Sequence, residues 1–507
     1  MPRHFVERAG ALQRRALLLV ALFPAVAGAQ TTAAADRWSM VRDSIRVIMQ
    51  RLHAPSVSVA VAEHGHIVWE EGFGWADVDQ RIPATPNTLY SMASISKPMT
   101  ATALMTLAQR GAVDLGRPAN DYLGASKITG LAGSASEATV MRVMSHTAGL
   151  PLHYRFFYEG GATPGPNMDE AIARYGIVSL PAGQVYSYSN LGYGILEQIV
   201  AKQSKGSFEA YIHDAVFAPL GMPRTALGTG RGLERAAVRY DDSLKAIPYY
   251  DFDHRGASAV WTTAHELARF GMFHLRDHLP DQRPILPDSV LLDMQQVRTP
   301  GDTAHGYGLG WIIDDDHGFR RVAHTGGMPG VSTVLSLYPA QDLVVVALGN
   351  QSNPLPSRAA QEITAAILPG YRARLTDDRA RQQAGDQDPA RQEFSAPANL
   401  QGDWTGTVRT YQGAVPIALR VKDDEVLVRL GGSRALWTLL NRPAFRSGLL
   451  QGQFVGTIPT DDARRYPHTL SIAWLLAEDK LRGWIAAVAT DIPVSGAVSS
   501  YAELTRP

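Results

Sequence analysis

The stretch SMASISKPMTATALM, residues 91–105, places a serine and a lysine three positions apart, Ser94 and Lys97, immediately before Pro98. Because proline lacks an amide hydrogen and is tolerated in the first turn of a helix, Pro98 predicts a helix that begins within a few residues upstream. Gly111 follows a run of strong helix formers and predicts the end of that helix. Side chains three residues apart project from the same face of a helix, so Ser94 and Lys97 can touch.

A touching serine and lysine have two interpretations: a helix start beside a surface lysine, or a nucleophile beside its base. A serine hydroxyl is a weak nucleophile until a base takes its proton, and a buried lysine with a lowered pKa can be that base. The amide groups of a helix N-terminus would also face the negative charge that develops during acyl transfer. The S-x-x-K spacing is short enough to occur by chance in long proteins, so the choice depends on residues elsewhere in the chain.

Two further stretches contain polar residues of the kinds that acyl transfer uses. One is QVYSYSNLGYGILEQIV, residues 184–200, in which Tyr188 and Asn190 precede an apolar helical run. The other is VAHTGGMPGVSTVLSLY, residues 322–338, in which a predicted strand ends with His324, Thr325, Gly326 and Gly327. In this order the three stretches resemble the motifs of the penicillin-binding protein and serine β-lactamase superfamily. The resemblance is to its class C β-lactamase-like branch, which includes esterases, D-aminopeptidases and D,D-carboxypeptidases.

The resemblance covers about residues 36–368 and is supported by three shorter matches, MSHTAGLP at 144–151, WTTAHELARF at 261–270 and YGLGW at 307–311. It implies a β-lactamase/transpeptidase-like α/β (α+β) fold, in which an antiparallel sheet is flanked by helices and joined to a helical lobe. It also implies a serine hydrolase that needs neither a cofactor nor a metal.

The resemblance implies a role for each matched residue. Ser94 would be the acylated nucleophile, Lys97 its proton acceptor, and Tyr188 the group that passes the proton to the leaving group, which needs a lowered phenol pKa or a proton relay. Asn190 would hydrogen-bond the substrate amide and the lysine. The backbone amides of Ser94 and Gly327 would hold the oxyanion, and the other substrate-binding residues would be His324, Thr325 and Gly326. Without the resemblance, Tyr188 and Asn190 would be read as a turn before a helix.

One position departs from the pattern of many β-lactamases, which have a lysine where this chain has His324. A lysine provides a fixed positive charge for a substrate carboxylate, whereas a histidine is near half-charged around neutral pH and can be a neutral donor. The departure favours an esterase or peptidase, with D-amino-acid peptides among the candidate substrates, over a β-lactamase. Two alternatives stay open: hydrolysis of β-lactam rings, and non-catalytic binding of a cell-wall peptide or a hydrophobic ligand.

Composition and the N-terminus indicate an exported protein. Basic residues precede the apolar run ALLLVALFPAVAGA, which ends in Ala27-Gly28-Ala29, and this pattern is typical of a signal peptide over residues 1–29. Cleavage would leave no stable membrane anchor, and the protein would be periplasmic or secreted. The 507 residues include no cysteine, which excludes disulfides and a thiol nucleophile, and the 48 basic residues balance 48 acidic ones, which argues against nucleic acid as a partner. The expected partner is a small-molecule or peptide substrate, with peptides derived from the cell wall among the candidates; the sequence does not determine the oligomeric state.

The chain divides into three predicted parts after the signal peptide. Strand patterns at both ends of residues 36–370, with helices between them, predict one antiparallel sheet with an inserted helical lobe. Residues 371–396 are charged and nearly free of large apolar side chains, and they are interpreted as a linker. Residues 397–507 alternate apolar and polar side chains with turn signals and predict a β-barrel domain. The W-x-G pattern at Trp404 indicates a lipocalin-like domain of the kind appended to some members of the branch.

Two other groups of residues can be read in more than one way. Asp251, Asp253 and His254 have metal-ligand chemistry, but a loop before the site is the simpler interpretation. The aromatic patch at residues 153–158 is either core packing or one wall of a substrate cleft.

Overall fold

A computed structural model of the chain describes residues 36–161, 165, 167–386, 394–491 and 495–507. The predicted signal peptide, residues 1–29, lies outside the described residues. Among those residues, no helix combines the length and apolarity that a membrane span requires.

The α-helices begin and end as follows: Ser39–Leu52 (α1), Ser96–Gln109 (α2), Val140–Met144 (α3), Met168–Tyr175 (α4), Asn190–Ser204 (α5), Phe208–Ile212 (α6), Arg255–Ser258 (α7), Ala264–Leu275 (α8), Asp288–Met294 (α9), Leu355–Ile367 (α10) and Tyr371–Asp386 (α11). The strands before residue 350 are Ser56–Glu63 (β1), His66–Asp77 (β2), Ile82–Pro83 (β3), Tyr90–Ser91 (β4), Thr129–Gly130 (β5), Tyr154–Tyr158 (β6), Ile177–Val178 (β7), Ala226–Leu227 (β8), Tyr250–Phe252 (β9), Val260–Thr262 (β10), Gly306–Tyr307 (β11), Ile312–Asp315 (β12), Arg320–Met328 (β13), Val331–Tyr338 (β14) and Leu343–Gly349 (β15).

The central sheet of the first domain is antiparallel and has the order β11-β12-β13-β14-β15-β1-β2-β3. The N-terminal hairpin β1–β2 therefore completes a sheet whose other strands come from the far end of the domain, as predicted, with helices α2 to α9 between them in the chain. β1 is buried on both faces. Val57, Val59 and Val61 pack in one cluster with α1 and α10, and Ala60 and Ala62 belong to the cluster on the opposite face. A strand covered on both sides requires such a continuous apolar run.

Helix α2 lies at the centre of the domain, with every residue from Ser96 to Leu107 buried. It begins one residue before Lys97, and Gly111 follows its end with a φ of +71°, so both predicted boundaries are confirmed. A single turn of 3₁₀-helix, Ala93–Ile95, leads into α2 and carries Ser94. Helix α2 contacts α5 and α7, the two elements that bring Asn190 and Ala257 beside Lys97.

The C-terminal domain is an antiparallel, barrel-like sheet. Its strands are Gly402–Thr410 (β16), Gly413–Lys422 (β17), Glu425–Leu430 (β18), Thr438–Leu439 (β19), Asn441–Arg446 (β20), Leu449–Phe454 (β21), Thr469–Ala477 (β22), Lys480–Ala489 (β23) and Gly496–Thr505 (β24). They follow the order β19-β18-β17-β16-β24-β23-β22-β21-β20. Only Leu440 separates the edge strands β19 and β20 in the chain, so the two edges must lie close together and the sheet curls nearly closed.

The W-x-G pattern has a packing reason in this barrel. Trp404 is fully buried and its Nε1 donates to the carbonyl of Leu400 at 2.9 Å. A Cβ on Gly406 would lie 1.9 Å from the carbonyl oxygen of Glu503, so only glycine lets β24 approach β16 this closely.

The two domains share a hydrogen-bonded strand. β6 pairs with β9 of the first domain and with β24 of the barrel, where Tyr154 lies opposite Ala497. The segment predicted as a linker begins with α11, whose Tyr371 and Leu375 pack in the cluster formed by β1, α1 and α10.

Candidate active site

Ser94 lies on a tight turn that a neighbouring strand holds in place. Ala93, just before it, has a φ of +46°, a left-handed conformation that costs a residue with a side chain about 1–3 kcal/mol. Strand β13 presses against this turn: a Cβ on Gly326 would lie 2.2 Å from the carbonyl oxygen of Met92 and 3.1 Å from Cβ of Ala93. Thr333 on β14 also donates to the Met92 carbonyl at 3.1 Å. The strained turn is therefore fixed by the packing of the sheet.

Ser94, Lys97, Tyr188 and Asn190 converge, although the first and last are 96 positions apart in the sequence. Nζ of Lys97 lies 2.9 Å from Oγ of Ser94 and 2.7 Å from Oδ1 of Asn190. The hydroxyl of Tyr188 donates to Oγ of Ser94 at 3.0 Å. Ser94 Oγ therefore has an amine on one side and a phenol on the other.

Burial sets the protonation state of Lys97. Its side chain is fully buried, and this desolvation lowers its pKa well below the usual 10.5, which favours the neutral amine. Besides Ser94, its neighbours are Oδ1 of Asn190 and the carbonyl of Ala257 at 3.3 Å, which can only accept hydrogen bonds. The two hydrogens of a neutral amine satisfy those two oxygens. The lone pair is then left for the hydroxyl proton of Ser94, which is the arrangement that a general base requires.

Tyr188 is held as a neutral phenol. Burial raises its pKa above the usual 10, and the hydrogen bond to Ser94 only partly offsets that rise. Its ring lies 4.3 Å from the imidazole of His146. The sequence left two ways in which Tyr188 could act: with a lowered phenol pKa, or in a proton relay. The raised pKa is compatible with the relay, since the phenol keeps a proton that it can donate.

Asn190 is the first residue of α5, and its position depends on the cap of that helix. Oγ of Ser189 accepts the amide of Gly192 at 3.1 Å, and Nδ1 of His146 accepts the amide of Ser189 at 3.1 Å. These bonds satisfy amide groups at a buried helix start. Because Oδ1 of Asn190 accepts from Lys97, its side-chain NH₂ group remains as a donor.

His324 is turned into the protein. It is 2% exposed, its Nδ1 donates to the carbonyl of Thr325 at 2.7 Å, and its Nε2 accepts from the hydroxyl of Tyr307 at 2.9 Å. Burial lowers its pKa to about 3, so the ring is neutral at physiological pH. Both ring nitrogens are occupied by protein groups. Thr325 is exposed, Gly326 is buried against the Ser94 turn, and Gly327 borders the same cleft as Ser94.

The cleft in front of Ser94 has a volume of about 800 Å³ and receives residues from both domains. The barrel provides Ala489, Thr490 and Ser495. Asp241 and Asp242 lie on the border of the cleft, and none of the described residues that border it is a lysine or an arginine. In the aromatic patch at residues 153–158, Tyr154 and Phe156 border the cleft and His153 is fully buried. The patch is therefore partly a wall of the cleft and partly core packing.

His254 also borders the cleft, and sequence reasoning assigned it only to a loop. It is 1% exposed and its Nδ1 lies 2.7 Å from Oδ1 of Asp253, which also contacts the backbone amide of Arg155 at 3.2 Å. The signal in the sequence was the adjacent pair Asp253-His254. The third member of the group, His153, is distant in the sequence, and folding brings it to Oδ2 of Asp253. Across the described ranges, no group of three or more acidic, histidine or cysteine side chains is arranged to hold a metal ion.

Relatives of known sequence match about three fifths of the chain. Protein flp of Staphylococcus aureus (strain N315) is 24% identical over 329 residues, which is 63% of this chain and 64% of that protein. Penicillin-binding protein 4* of Bacillus subtilis (strain 168) is 25% identical over 326 residues, 59% of this chain and 69% of that protein. The chain thus matches less than two thirds of the length of flp.

Solved structures share the fold at low sequence identity. The octameric penicillin-binding protein homologue from Pyrococcus abyssi has a TM-score of 0.56 at 20% identity, covering 90% of this chain and 99% of that one. A class C β-lactamase has a TM-score of 0.55 at 20% identity, covering 66% of this chain and 96% of that one.

The family model described as "Beta-lactamase" matches residues 41–368, the segment that contains Ser94, Lys97, Tyr188, Asn190 and the β13 motif. This match spans more than half of the chain and agrees with the topology of the sheet and the helical lobe. The chain belongs to the beta-lactamase family.

Proposed function

We propose that the protein is a serine hydrolase that forms an acyl-enzyme at Ser94 with ester or amide substrates, peptides containing D-amino acids among them. The observation that carries the proposal is the hydrogen-bonding of Lys97. A neutral amine whose two hydrogens are taken by Asn190 and Ala257 presents its lone pair to the Ser94 hydroxyl at 2.9 Å.

In the proposed acylation, Ser94 Oγ attacks the substrate carbonyl and its proton passes to Nζ of Lys97. The phenol of Tyr188, 3.0 Å from Ser94 Oγ, gives its proton to the leaving amine or alcohol. Lys97 then returns a proton to Tyr188, which leaves both groups neutral again; Nζ lies 4.7 Å from the centre of the Tyr188 ring. Water releases the acyl group by the reverse sequence of proton transfers.

Ser94 and Gly327 on the cleft border support the backbone oxyanion site that the family resemblance implies. The proposed place of action is the periplasm or the outside of the cell. This rests on the basic and apolar residues that precede Ala29 in the sequence.

Mass spectrometry of the intact protein tests the proposal. After brief exposure to a fluorophosphonate, wild-type protein should gain the mass of one phosphonyl group, and the Ser94→Ala variant should gain none. The same measurement with a nitrophenyl ester and a D-amino-acid peptide shows which acyl donor is preferred. Equal labelling of the two proteins would contradict a Ser94 nucleophile, and an unlabelled wild type that releases no product would favour a non-catalytic binding protein.

β-Lactams should be poor substrates, and their carboxylate should contribute nothing to recognition. A charge-assisted hydrogen bond typically contributes about 1.5–3 kcal/mol, but here His324 is neutral and enclosed, and Asp241 and Asp242 are the charged side chains on the described cleft border. Wild-type protein is therefore expected to hydrolyse a chromogenic cephalosporin and its methyl ester with kcat/KM values within about threefold of each other. A loss of tenfold or more on esterification would show that a cation does bind the carboxylate.

A further inference from the structure

Tyr188 lies in a segment of the chain that forms neither a helix nor a strand. Residues 186–189 connect a turn to the start of α5, so no regular ladder of backbone hydrogen bonds holds the phenol in place. The mechanism proposed above nevertheless requires that phenol to stay beside Ser94 and beside the leaving group. Its position must therefore come from the bonds made by the residues on either side of it.

Ser187, the residue before Tyr188, is buried and makes three hydrogen bonds. Its backbone amide donates to the carbonyl of His146 at 2.8 Å, and its Oγ donates to the carbonyl of Leu150 at 3.1 Å. Nε1 of Trp484 donates to the same Oγ at 3.3 Å. A hydroxyl has one hydrogen and can also accept, so both of these contacts to Oγ are satisfied. Two of the three bonds come from the first domain and the third comes from the barrel.

Trp484 is a fixed donor because the barrel holds its backbone and the domain interface holds its ring. It lies in β23, where it pairs with Ala473 of β22 on one side and with Tyr501 of β24 on the other. Its side chain is 9% exposed and belongs to an apolar cluster that includes Leu180 and Val185 of the first domain. These two residues lie in the segment that leads to the catalytic tyrosine.

The barrel also holds the segment that follows the second partner of Ser187. Oγ of Ser499 donates to the carbonyl of Leu152, and β24 pairs with β6 beginning at Tyr154. Leu150, whose carbonyl accepts from Ser187, is two residues before the first of these contacts. The barrel thus acts on the neighbourhood of the phenol directly, through the indole, and indirectly, through residues 150–155.

We propose that Trp484 is a positioning residue for the proton transfer from Tyr188 to the leaving group, because its bond to Ser187 keeps the phenol within reach of the leaving alcohol or amine. The inference rests on the Ser94 acyl-enzyme and the Tyr188 proton donor proposed above. It adds a residue of the barrel, which lies outside the matched family segment, residues 41–368. The barrel then supports catalysis in addition to contributing residues to the cleft border.

Two esters with the same acyl group test this role, 4-nitrophenyl butyrate and ethyl butyrate. 4-Nitrophenoxide is a weak base that departs without a proton, whereas ethoxide is a strong base that needs one. Both esters give the same acyl-enzyme, so their kcat/KM values differ only in binding and acylation. The ratio of the two kcat/KM values therefore measures the help that the leaving group receives from the proton donor.

Trp484→Phe removes the indole N–H and keeps an aromatic ring. It is expected to lower kcat/KM for ethyl butyrate about tenfold and to leave the value for 4-nitrophenyl butyrate within about twofold, since a small displacement of a proton donor is costly only where the proton is needed. The matched control is Trp437→Phe, which changes a barrel tryptophan that stacks against Arg420 and Arg429. It should change neither value.

Ser187→Ala removes the same bond from its other end and is the second variant if Trp484→Phe does not fold. It should lower the same ratio, and adding Trp484→Phe to it should lower the ratio no further, because the two residues act through one contact.

The outcomes separate this inference from the function on which it rests. A folded Trp484→Phe protein that loses the same factor on both esters, or loses nothing, would overturn the positioning role alone. Wild-type protein that is acylated by 4-nitrophenyl butyrate but does not cleave ethyl butyrate would overturn the inference and leave the Ser94 acyl-enzyme standing. Failure to hydrolyse either ester, with no acylation of Ser94, would overturn both proposals.

Discussion

Replacing Lys97 by methionine is expected to slow the acylation of Ser94 by about 10²- to 10⁴-fold, the range that a general base contributes. Methionine has a similar length and suits a fully buried site, but it has no lone pair basic enough to take the Ser94 proton. The measurement is the rate of fluorophosphonate labelling, followed by the mass of the intact protein. Lys422→Met, which changes an exposed lysine on the barrel, should label at the wild-type rate. Equal rates for wild type and Lys97→Met would exclude the lysine as base.

The same pair of proteins should differ in the pH dependence of stability. Between the lowered pKa of folded Lys97 and the usual 10.5, the unfolded chain binds one more proton at this residue than the folded chain does. The free energy of unfolding of the wild type, measured relative to Lys97→Met, therefore rises with pH across this interval. Urea unfolding at several pH values between 7 and 10 checks the sign. A constant difference would mean that Lys97 is charged in the folded protein.

Replacing Asp462 by asparagine is expected to lower the free energy of unfolding by about 3 kcal/mol, because it leaves the buried Arg155 without its counter-charge. Asp462 is 6% exposed and lies 3.1 Å from Arg155 and 3.2 Å from Arg174, both in the first domain. It also accepts hydrogen bonds from the hydroxyls of Tyr175 and Tyr411. The carboxylate thus joins the barrel to the segment that carries β6 and the aromatic wall of the cleft.

Asp461→Asn is the matched control, since the neighbouring Asp461 is exposed and, within the described residues, its carboxylate and its backbone amide bond only the side chain of Gln412. It should change the free energy of unfolding by less than about 0.5 kcal/mol. Burial alone would raise the pKa of Asp462, but Tyr175, Arg155 and its other partners hold it below 3.8. The contribution of the carboxylate is therefore complete above pH 3.8 and is lost as the pH falls through the lowered value. If both variants lost the same free energy of unfolding, the buried position of the Asp462 carboxylate would not be the cause.

The Ser94 helix shows how much of the site could be predicted from local patterns. Pro98 and Gly111 mark the two ends of α2, and a separation of three residues brings Lys97 within reach of Ser94, although the strained turn that carries Ser94 is held by the sheet. The hairpin β1–β2 was also accessible, because alternation of side chains and a short connection are local properties. The order of the three motifs along the chain then identified the family.

The orientation of His324 and the surroundings of His254 could not be obtained in that way. His324 lies in the matched motif, yet its ring turns away from the cleft because Tyr307 and the Thr325 carbonyl occupy both of its nitrogens. His254 looked like a loop residue because the partner that completes its environment, His153, is 101 positions away in the sequence. The helix in the predicted linker, α11, was also not predicted. It is mostly polar, and Tyr371 and Leu375, which pack against the first domain, are too few to give a helical hydrophobic periodicity in the sequence.

The sequence by itself determined which reactive groups the chain has and which of them lie one turn apart: Ser94, just before α2, and Lys97, in its first turn. The tertiary structure decided their protonation. Burial lowers the pKa of Lys97 and of His324 and raises that of Tyr188, which favours the neutral form of each. The reason is physical: a pKa depends on burial and on hydrogen-bond partners, and the oxygens of Asn190 and Ala257 beside Lys97 come from segments 93 and 160 positions away, which meet it only when the chain folds.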